Sequence, residues 1–380
     1  MLRSKLPAVG TTIFSRMSQM AAQEQALNLS QGFPDFDPPA ALLDAMARAV
    51  NNGGNQYAPM PGLPYLREQI AGQLLLHRGV NADPDTEITV VPGATEGIFC
   101  AIMAAVGTGD EVIVFDPCYD SYEPAIQLAG ARAVHVPLSA ATFSVDWERL
   151  EAAVTPRTRM LIINSPHNPT GSILTSADMV QLEALVERHG LLVVSDEVYE
   201  HLVFDGRQHH SVLQYPGLRR RSVAVFSFGK TYAVTGWKTG YCVAPPALTA
   251  ELRKIHQFVC FVAVTPVQQA LADFMAEEPG YPTTLAAFYQ AKRDLFCNAL
   301  KPSSFSITAS AGTYFQLLDY SAVTRGIDVE VAESWTRDNK IASIPVSVFY
   351  QQPPDATYLR LCFAKRDELL LEAADRLCKI

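Results

Sequence analysis

The 380-residue chain lacks the cysteine pattern of disulfide scaffolds and zinc sites. Its seven cysteines are an odd number, and no two of them form a CxxC pair. In a chain of this length, that usage argues against a disulfide framework and against a zinc site. The sequence also has no apolar run of about 18 residues, which a membrane span would need. Its N-terminus lacks the apolar core of a secretory signal. We therefore expect a cytoplasmic protein.

Positive charge is scarce as well. The formal net charge is −9, and the basic cluster at 219–221 is short, so we interpret it as a solvated turn. An acidic chain without a long basic run lacks the basic surface that nucleic-acid-binding proteins use to bind phosphates. Apolar residues make up 48% and charged residues 18% of the chain, which is ordinary for a globular protein. At roughly 100–200 residues per domain, we expect two or three units.

Several common catalytic motifs are missing. Gly229-Lys230-Thr231 resembles the end of a nucleotide-binding P-loop, but the glycine required five residues earlier is Ala224. No GxGxxG follows a predicted strand, and neither HExxH nor GxSxG occurs. The His209-His210 pair is predicted to be a polar pair in a loop rather than a metal site. The sequence therefore gives no support for a nicotinamide-dependent enzyme, a P-loop nucleotide-binding protein or a zinc protease.

The middle of the chain alternates short apolar runs with helical stretches. Buried strands are predicted at 88–91, 111–115, 132–137, 160–164, 191–195, 222–227 and 240–244. This alternation predicts an α/β domain whose mostly parallel sheet is covered by helices on both faces. After residue 275 the pattern changes to a helix at 283–300, strands at 305–309, 313–318 and 358–363, and a final helix at 368–378.

Two units follow from this change of pattern. We predict a large domain at 45–275. We predict that residues 1–44 and 276–380 form an irregular N-terminal segment and a small α+β domain, which pack together.

Polar side chains follow five of the predicted strands. These polar segments begin at Pro92, Asp116, Asn164, Ser195 and Ser227, and they contain Gly93-Ala94-Thr95, Tyr119, Asn168, Asp196 and Lys230. Ligands of open α/β sheets bind beyond the carboxyl ends of the strands, so we expect these groups to form one site.

Lys230 is the predicted nucleophile of this site. A lysine forms imines only when its surroundings lower its pKa. Ser227 and Lys238 flank it and offer a hydroxyl and an ammonium group, which suit a phosphate. Asp196 either caps a helix or faces a pyridine nitrogen, which it would keep protonated.

The combined motifs resemble the class I aminotransferases of pyridoxal-phosphate (PLP) fold type I. The motifs are NPTG at 168–171, SDEVY at 195–199, SFGK at 227–230 and GWKTG at 236–240. The chain is most similar to the kynurenine aminotransferase-like branch, which includes bacterial methionine aminotransferases. The resemblance runs from Leu29 to Lys365 and implies the aspartate aminotransferase-like α/β fold, in which Lys230 holds PLP as a Schiff base.

The resemblance assigns a role to each matching position around the cofactor. The phosphate would bind at Gly93, Ala94, Thr95, Ser227 and Lys238. Asp196 would pair with the ring nitrogen, Asn168 and Tyr199 would bind the phenolic oxygen, and Tyr119 would stack on the ring. Tyr57 matches a tyrosine that reaches the phosphate from a neighbouring subunit, which implies a homodimer with shared active sites. Lys238 departs from the wider class, in which many relatives carry arginine.

The resemblance also implies a substrate site. Arg360 would clamp the α-carboxylate of an amino acid, with Gly32 and Asn168 beside it. Phe33, Tyr119, Tyr122 and Phe261 are candidate pocket walls, and no second arginine for a distal carboxylate can be placed. We therefore expect an apolar or aromatic amino donor, with methionine first, and a 2-oxo acid acceptor in a ping-pong reaction.

Two alternatives remain open in the sequence. A PLP-dependent carbon–sulfur β-lyase of the same fold would share Lys230, Asp196 and Tyr199. A regulatory protein with an aminotransferase-like half would carry an additional DNA-binding domain, and only about thirty residues precede the Ser30-Gln31-Gly32 segment.

Overall fold

The protein is described by a computed structural model that covers residues 3–355 and 357–380. The strands are β1 Leu27–Asn28, β2 Ile88–Val91, β3 Glu111–Asp116, β4 Arg132–Pro137, β5 Thr158–Asn164, β6 Leu192–Asp196, β7 Ser222–Ser227, β8 Gly240–Val243, β9 Phe315–Asp319, β10 Ile341–Ala342, β11 Ile344–Pro345 and β12 Tyr358–Cys362. The helices are α1 Ile13–Gln23, α2 Ala40–Asn51, α3 Pro64–Arg78, α4 Ala94–Ala105, α5 Tyr122–Leu128, α6 Trp147–Ala153, α7 Ser176–His189, α8 Pro216–Arg219, α9 Phe228–Thr231, α10 Pro246–Val259, α11 Thr265–Glu277, α12 Leu285–Ala299, α13 Asp328–Asp338 and α14 Asp367–Leu377.

A seven-stranded sheet forms the centre of the molecule. Its strand order is β2-β8-β7-β6-β5-β3-β4, and β8 alone runs antiparallel to its neighbours within this described sheet. Successive side chains of a strand point to opposite faces. Accordingly, Ile163 and Phe226 join a core cluster on one face, and Ile162 and Val225 join a second cluster on the other. Burial on both faces explains why the strands are continuous apolar runs, and it confirms the predicted α/β fold.

A second, smaller sheet lies in the C-terminal third. Strands β11, β12 and β9 form an antiparallel sheet in that order. The N-terminal segment packs here, because β1 pairs in parallel with β10 and Met17 and Leu29 belong to the same apolar cluster as Phe315 and Leu361. The limits of the two predicted domains stay predictions.

The predicted strand at 305–309 is not a strand in the structure. Only an isolated bridge forms there, between Ser306 and Asp319. The reason lies in Gln316, whose side-chain amide donates to the carbonyl of Thr308 at 2.8 Å and whose side-chain oxygen accepts from the N–H of Ser310 at 3.2 Å. A side chain therefore satisfies backbone groups that a regular ladder would otherwise pair.

His209 lies in a loop, as predicted, but its side chain packs against a buried carboxylate. Its side chain is 4% exposed, and its Nε2 lies 2.8 Å from an oxygen of the fully buried Glu197 carboxylate. The seven cysteines are all free. In the described part of the chain, no helix combines the length and the apolar character needed to cross a bilayer.

Candidate active site

The carboxyl ends of the central strands surround a cavity of about 330 Å³. Twelve of the predicted site residues line it: Gly32, Gly93, Ala94, Thr95, Tyr119, Asn168, Asp196, Tyr199, Ser227, Lys230, Lys238 and Arg360. They come from opposite ends of the chain and meet because parallel strands end at one edge of the sheet. The small sheet supplies Arg360, and the N-terminal segment supplies Gly32.

Lys230 lies in the single-turn helix α9, directly after β7. Its Nζ donates a hydrogen bond to the carbonyl of Gly32 at 3.2 Å and lies 5.9 Å from the ring centroid of Tyr199. Burial lowers the pKa of Lys230 to about 8, and the positive charges of Lys238 and Arg360 act in the same direction. A larger fraction of the amine is therefore neutral at physiological pH, which is the form that attacks a carbonyl.

Asp196 ends β6 and is 5% exposed. Its Oδ2 accepts a hydrogen bond from the hydroxyl of Tyr122 at 2.6 Å, and its Oδ1 accepts from the N–H of Val198 at 3.3 Å. Burial raises the pKa of Asp196 to about 6, against the lowering effect of these hydrogen bonds. Among the described residues, none forms an ion pair with it, so this buried carboxylate suits a cationic group from a ligand.

Asn164 connects two of the predicted cofactor residues. Its side-chain amide donates to the carbonyl of Asp196 at 2.9 Å, and its side-chain oxygen accepts from the N–H of Asn168 at 2.7 Å. The sequence motifs give Asn164 no role of its own, although this residue ends β5 at the edge of the sheet where the site was expected. Asn164 therefore holds the ends of two strands in a fixed relation.

Arg360 is a buried arginine that forms no salt bridge within the described part of the chain. It lies on β12 with 1% of its surface exposed. Its guanidinium donates to Oδ1 of Asn168 and to the carbonyl of Ser30, both at 2.8 Å, and stacks 3.9 Å from the ring centroid of Phe315. The buried Nε has no hydrogen-bond partner, and burial lowers the pKa of Arg360. No carboxylate of the described residues pairs with it, which leaves the planar fork available for a ligand carboxylate.

The start of α4 and Lys238 form an anion site on the other side of the cavity. Gly93 precedes α4 with φ +86° and ψ 157°, a conformation accessible essentially only to glycine. A Cβ at Gly93 would lie 3.3 Å from Nζ of Lys238. The first N–H groups of a helix have no partners within the helix and carry a partial positive charge. Together with Ser227 and Lys238, they suit a phosphate group.

Three predicted site residues are exposed at the surface and do not line this cavity. Tyr57 is 84% exposed, and its ring packs edge-on against Phe261, 5.5 Å away. Phe261 itself is 40% exposed. Phe33 is 43% exposed, and its ring lies 4.6 Å from the ammonium of Lys365 instead of facing the cavity. The adjacent Gly32 reaches the cavity because a turn of the chain points the two residues in different directions.

Two aromatic residues differ from the sequence interpretation. Tyr122, a predicted pocket wall, is buried behind the cavity and bonds Asp196, because its position at the start of α5 directs it under the sheet edge. Phe14 was not predicted. It lies on α1, lines the cavity and has its ring 5.2 Å from the Arg360 guanidinium. No motif precedes Leu29, so only the packing of the N-terminal segment reveals Phe14.

The fold and this cavity define an α/β protein of the aspartate aminotransferase-like type, with a buried lysine and a buried arginine facing one space. The family model described as "Aminotransferase class I and II" matches residues 24–377. The chain belongs to this family and is an aminotransferase.

Known relatives resemble the chain over nearly its whole length. The methionine aminotransferase of Escherichia coli K12 is 50% identical over 375 residues, which cover 99% of this chain and 97% of the relative. A crystal structure of an Escherichia coli protein, reported with a methionine aminotransferase function, has a TM-score of 0.98 at 49% identity and full coverage of both chains. The N-succinyldiaminopimelate aminotransferase structure from Mycobacterium tuberculosis has a TM-score of 0.96 at 38% identity, with 100% of both chains covered.

The kynurenine–oxoglutarate transaminase of Dictyostelium discoideum is 34% identical over 412 residues, covering 98% of this chain and 94% of that relative. The comparisons therefore confirm the branch that the sequence motifs predicted.

Proposed function

We propose that the chain is a PLP-dependent aminotransferase that takes L-methionine, and more broadly apolar or aromatic L-amino acids, as amino donor and a 2-oxo acid as acceptor. The observation that supports this proposal most strongly is that Arg360 and Lys230 line the same cavity. Arg360 is buried and forms no salt bridge with a carboxylate of the described residues, and burial lowers the pKa of Lys230 to about 8. An amino acid brings both missing groups, a carboxylate for Arg360 and an amine that exchanges with that of Lys230.

The residues around the cavity fit PLP. The N-terminus of α4, Ser227 and Lys238 would hold the phosphate, where Gly93 leaves room that a side chain would fill. Asp196, a buried carboxylate without an ion-pair partner among the described residues, would face the ring nitrogen. Asn168 and Tyr199 would bind the phenolic oxygen, and Tyr119 would cover the ring.

PLP would supply an electron sink that stabilises negative charge at the substrate Cα. The chain supplies binding, orientation and proton transfer. Arg360 binds the α-carboxylate with two parallel hydrogen bonds, and Asn168 fixes the guanidinium through its 2.8 Å contact. Asp196 would hold the proton at the ring nitrogen. Lys230 would take the proton from the substrate Cα as a general base and return it, as a general acid, to the cofactor carbon that keeps the amino nitrogen.

The substrate preference rests on the apolar part of the cavity and on the relatives. Phe14, Ile98, Val198 and Phe315 contribute apolar surface to the lining. A thioether packs favourably against aromatic rings, and an unbranched side chain adapts to an irregular pocket. Within the described lining, Arg360 is the one arginine, so the site offers no second clamp for an acidic side chain.

A homodimer with shared active sites belongs to the same proposal. The ring of Tyr57 packs against that of Phe261, which is 40% exposed, and Phe258, three residues before Phe261, is 86% exposed. Large exposed apolar groups close together mark a protein interface. A second copy covering them would bring Tyr57 towards the phosphate of the neighbouring site.

The visible absorbance spectrum tests the proposal directly. Purified protein supplied with PLP is expected to develop a visible band, to lose it when L-methionine is added alone, and to regain it with a 2-oxo acid. Lys230→Ala serves as the control and should give no such band. A band that ignores methionine would contradict the proposed donor. Release of pyruvate and ammonia from cystathionine would instead favour a β-lyase.

A further inference from the structure

Tyr122 is a buried tyrosine that contacts two of the side chains proposed to touch the PLP ring, Asp196 and Tyr119. It is the first residue of α5 and is 3% exposed. Its hydroxyl donates to Oδ2 of Asp196 at 2.6 Å. Its ring meets that of Tyr119 edge-on, with centroids 5.7 Å apart at 80°. No role of Tyr122 in the chemistry follows from the family motifs.

The Tyr122 hydroxyl is the stronger of two donors to Asp196. The other described donor is the N–H of Val198, which reaches Oδ1 at a longer 3.3 Å. A short O–H···O⁻ hydrogen bond is stronger than one between neutral groups. Burial and the nearby Asp196 charge raise the pKa of Tyr122 well above its usual value, so its hydroxyl stays protonated and remains a donor.

We infer that Tyr122 is a positioning residue that fixes the Asp196 carboxylate, keeps it anionic and thereby sets the protonation of the PLP ring nitrogen. The inference rests on the proposed function and deepens it. The carboxylate and the ring nitrogen would share one proton. Removing the Tyr122 donor raises the proton affinity of the carboxylate, so the shared proton moves towards Asp196 and the ring becomes a weaker electron sink.

The other ionisable groups near Asp196 do not replace this donor. Lys230 lowers and Glu197 raises the pKa of Asp196 through charge, and Tyr119 and Tyr199 also lie close to it. Glu197 is held by the Ser195 hydroxyl and by His209, at 2.9 Å and 2.8 Å. Those partners hold Glu197 away from the Asp196 carboxylate. Among the described residues, Tyr122 is therefore the side chain that donates a hydrogen bond to this carboxylate.

The test compares Tyr122→Phe with Tyr320→Phe. Both variants lose one buried hydroxyl and keep the ring. Tyr320, however, follows β9 of the small sheet and donates to the carbonyl of Gly326 at 2.9 Å. Tyr122→Phe is expected to weaken the affinity of the apoprotein for PLP by about tenfold or more, the loss typical of a hydrogen bond to a charged group. The pH midpoint of the visible band of bound PLP should shift upward, because a less positive ring withdraws less charge from the linkage to Lys230. Tyr320→Phe should change neither quantity.

A double-mutant cycle with Asp196→Asn isolates the contact. In that background Tyr122→Phe should have no further effect on PLP affinity or on the pH midpoint. Equal behaviour of Tyr122→Phe and Tyr320→Phe in wild-type background would overturn the inference. Failure of the wild-type protein to bind PLP would instead overturn the proposed function. If Tyr122→Phe does not fold, a ring-fluorinated tyrosine at the same position should strengthen the donor and shift the midpoint downward; an unchanged midpoint would also overturn the inference.

Discussion

At the scale of single residues, the protonation of Lys230 is expected to limit the rate at which the apoprotein reacts with PLP. Only the neutral amine attacks the PLP aldehyde, and the pKa of Lys230 is about 8 instead of the usual 10.5 because the group is buried. Below the pKa, the neutral fraction rises nearly tenfold with each pH unit. The rate at which apoprotein and PLP form the visible band should therefore rise from about pH 6 and level off above about pH 8. Stopped-flow absorbance measures this rate.

Lys230→Ala is the control for that profile and should form no band. A rate that keeps rising towards pH 10.5, the usual lysine pKa, would contradict the lowered pKa of Lys230.

Arg360 gives a second prediction at this scale. Arg360→Ala should reduce kcat/KM for methionine, because a buried charge pair with the substrate carboxylate is lost. The reduction should correspond to a loss of about 2–5 kcal/mol of transition-state stabilisation. Arg360→Lys keeps the charge but loses the planar fork, and it should recover only part of the activity. Steady-state kinetics measures both variants. PLP affinity, which Arg360 does not control, should stay near the wild-type value. Wild-type kinetics in Arg360→Ala would show that another group holds the carboxylate.

The sequence predicted residues that lie in motifs and missed those that act through packing. Lys230, Asp196 and Asn168 follow strands in recognisable motifs, and all three line the cavity. Tyr122 was misread as a pocket wall, because its contact with Asp196 joins positions 74 residues apart and depends on how α5 packs under the sheet. Phe14 precedes every motif and reaches the cavity only through the packing of α1.

At the scale of elements, the start of α4 depends on the backbone of Gly93. Gly93→Ala forces an L-residue into φ +86° and brings Cβ to 3.3 Å from Nζ of Lys238. The strain amounts to about 1–3 kcal/mol. We expect weaker PLP binding, because relief of this strain would move the N–H groups at the start of α4 away from the phosphate. Titration of the apoprotein with PLP measures the loss.

Gly79→Ala is the matched control. Gly79 ends α3 with φ +66°, and a Cβ there would meet no atom within 4 Å. This variant should lower stability by about 1–2 kcal/mol, the cost of a left-handed L-residue, while PLP affinity stays unchanged. Equal PLP affinities of the two variants would mean that the Gly93 turn does not shape the phosphate site.

The central strands were predictable because burial on both faces leaves an unbroken apolar run. The predicted strands at 88–91, 132–137 and 222–227 coincide with β2, β4 and β7. The segment 305–309 has similar composition, but its backbone bonds the side chain of Gln316. Local composition cannot reveal such a partner, which lies seven or more residues along the chain.

At the scale of the whole molecule, the site joins parts of the chain that no local pattern connects. Arg360 donates to the carbonyl of Ser30, 330 residues away, and to Asn168 on the central sheet. Lys230 bonds the carbonyl of Gly32 across a separation of 198 residues. The family resemblance predicted that Lys230, Gly32, Asn168 and Arg360 belong to one site. Composition and periodicity predicted only the strands and helices.

The proposed homodimer would bury an exposed apolar patch of the chain. Tyr57, Phe258, Val259, Phe261 and Val264 are all at least 40% exposed. They form one apolar patch, because the rings of Tyr57 and Phe261 touch and the N–H of Ala58 bonds the Thr265 hydroxyl at 3.0 Å. Phe258→Asp places a charge in this patch and should convert a dimer into monomers in analytical ultracentrifugation. PLP affinity should fall with dissociation, because Tyr57 of one copy would no longer reach the other copy's phosphate.

Val180→Asp is the matched control, since Val180 is 58% exposed on the outer side of α7. It should leave both the mass in solution and the PLP affinity unchanged. Tyr57→Phe separates the two effects, because it removes only the hydroxyl and should weaken PLP binding while the dimer persists. A Phe258→Asp protein that becomes monomeric and still binds PLP as tightly as the wild type would contradict the shared site. Dissociation alone would then support an interface that contributes no group to catalysis.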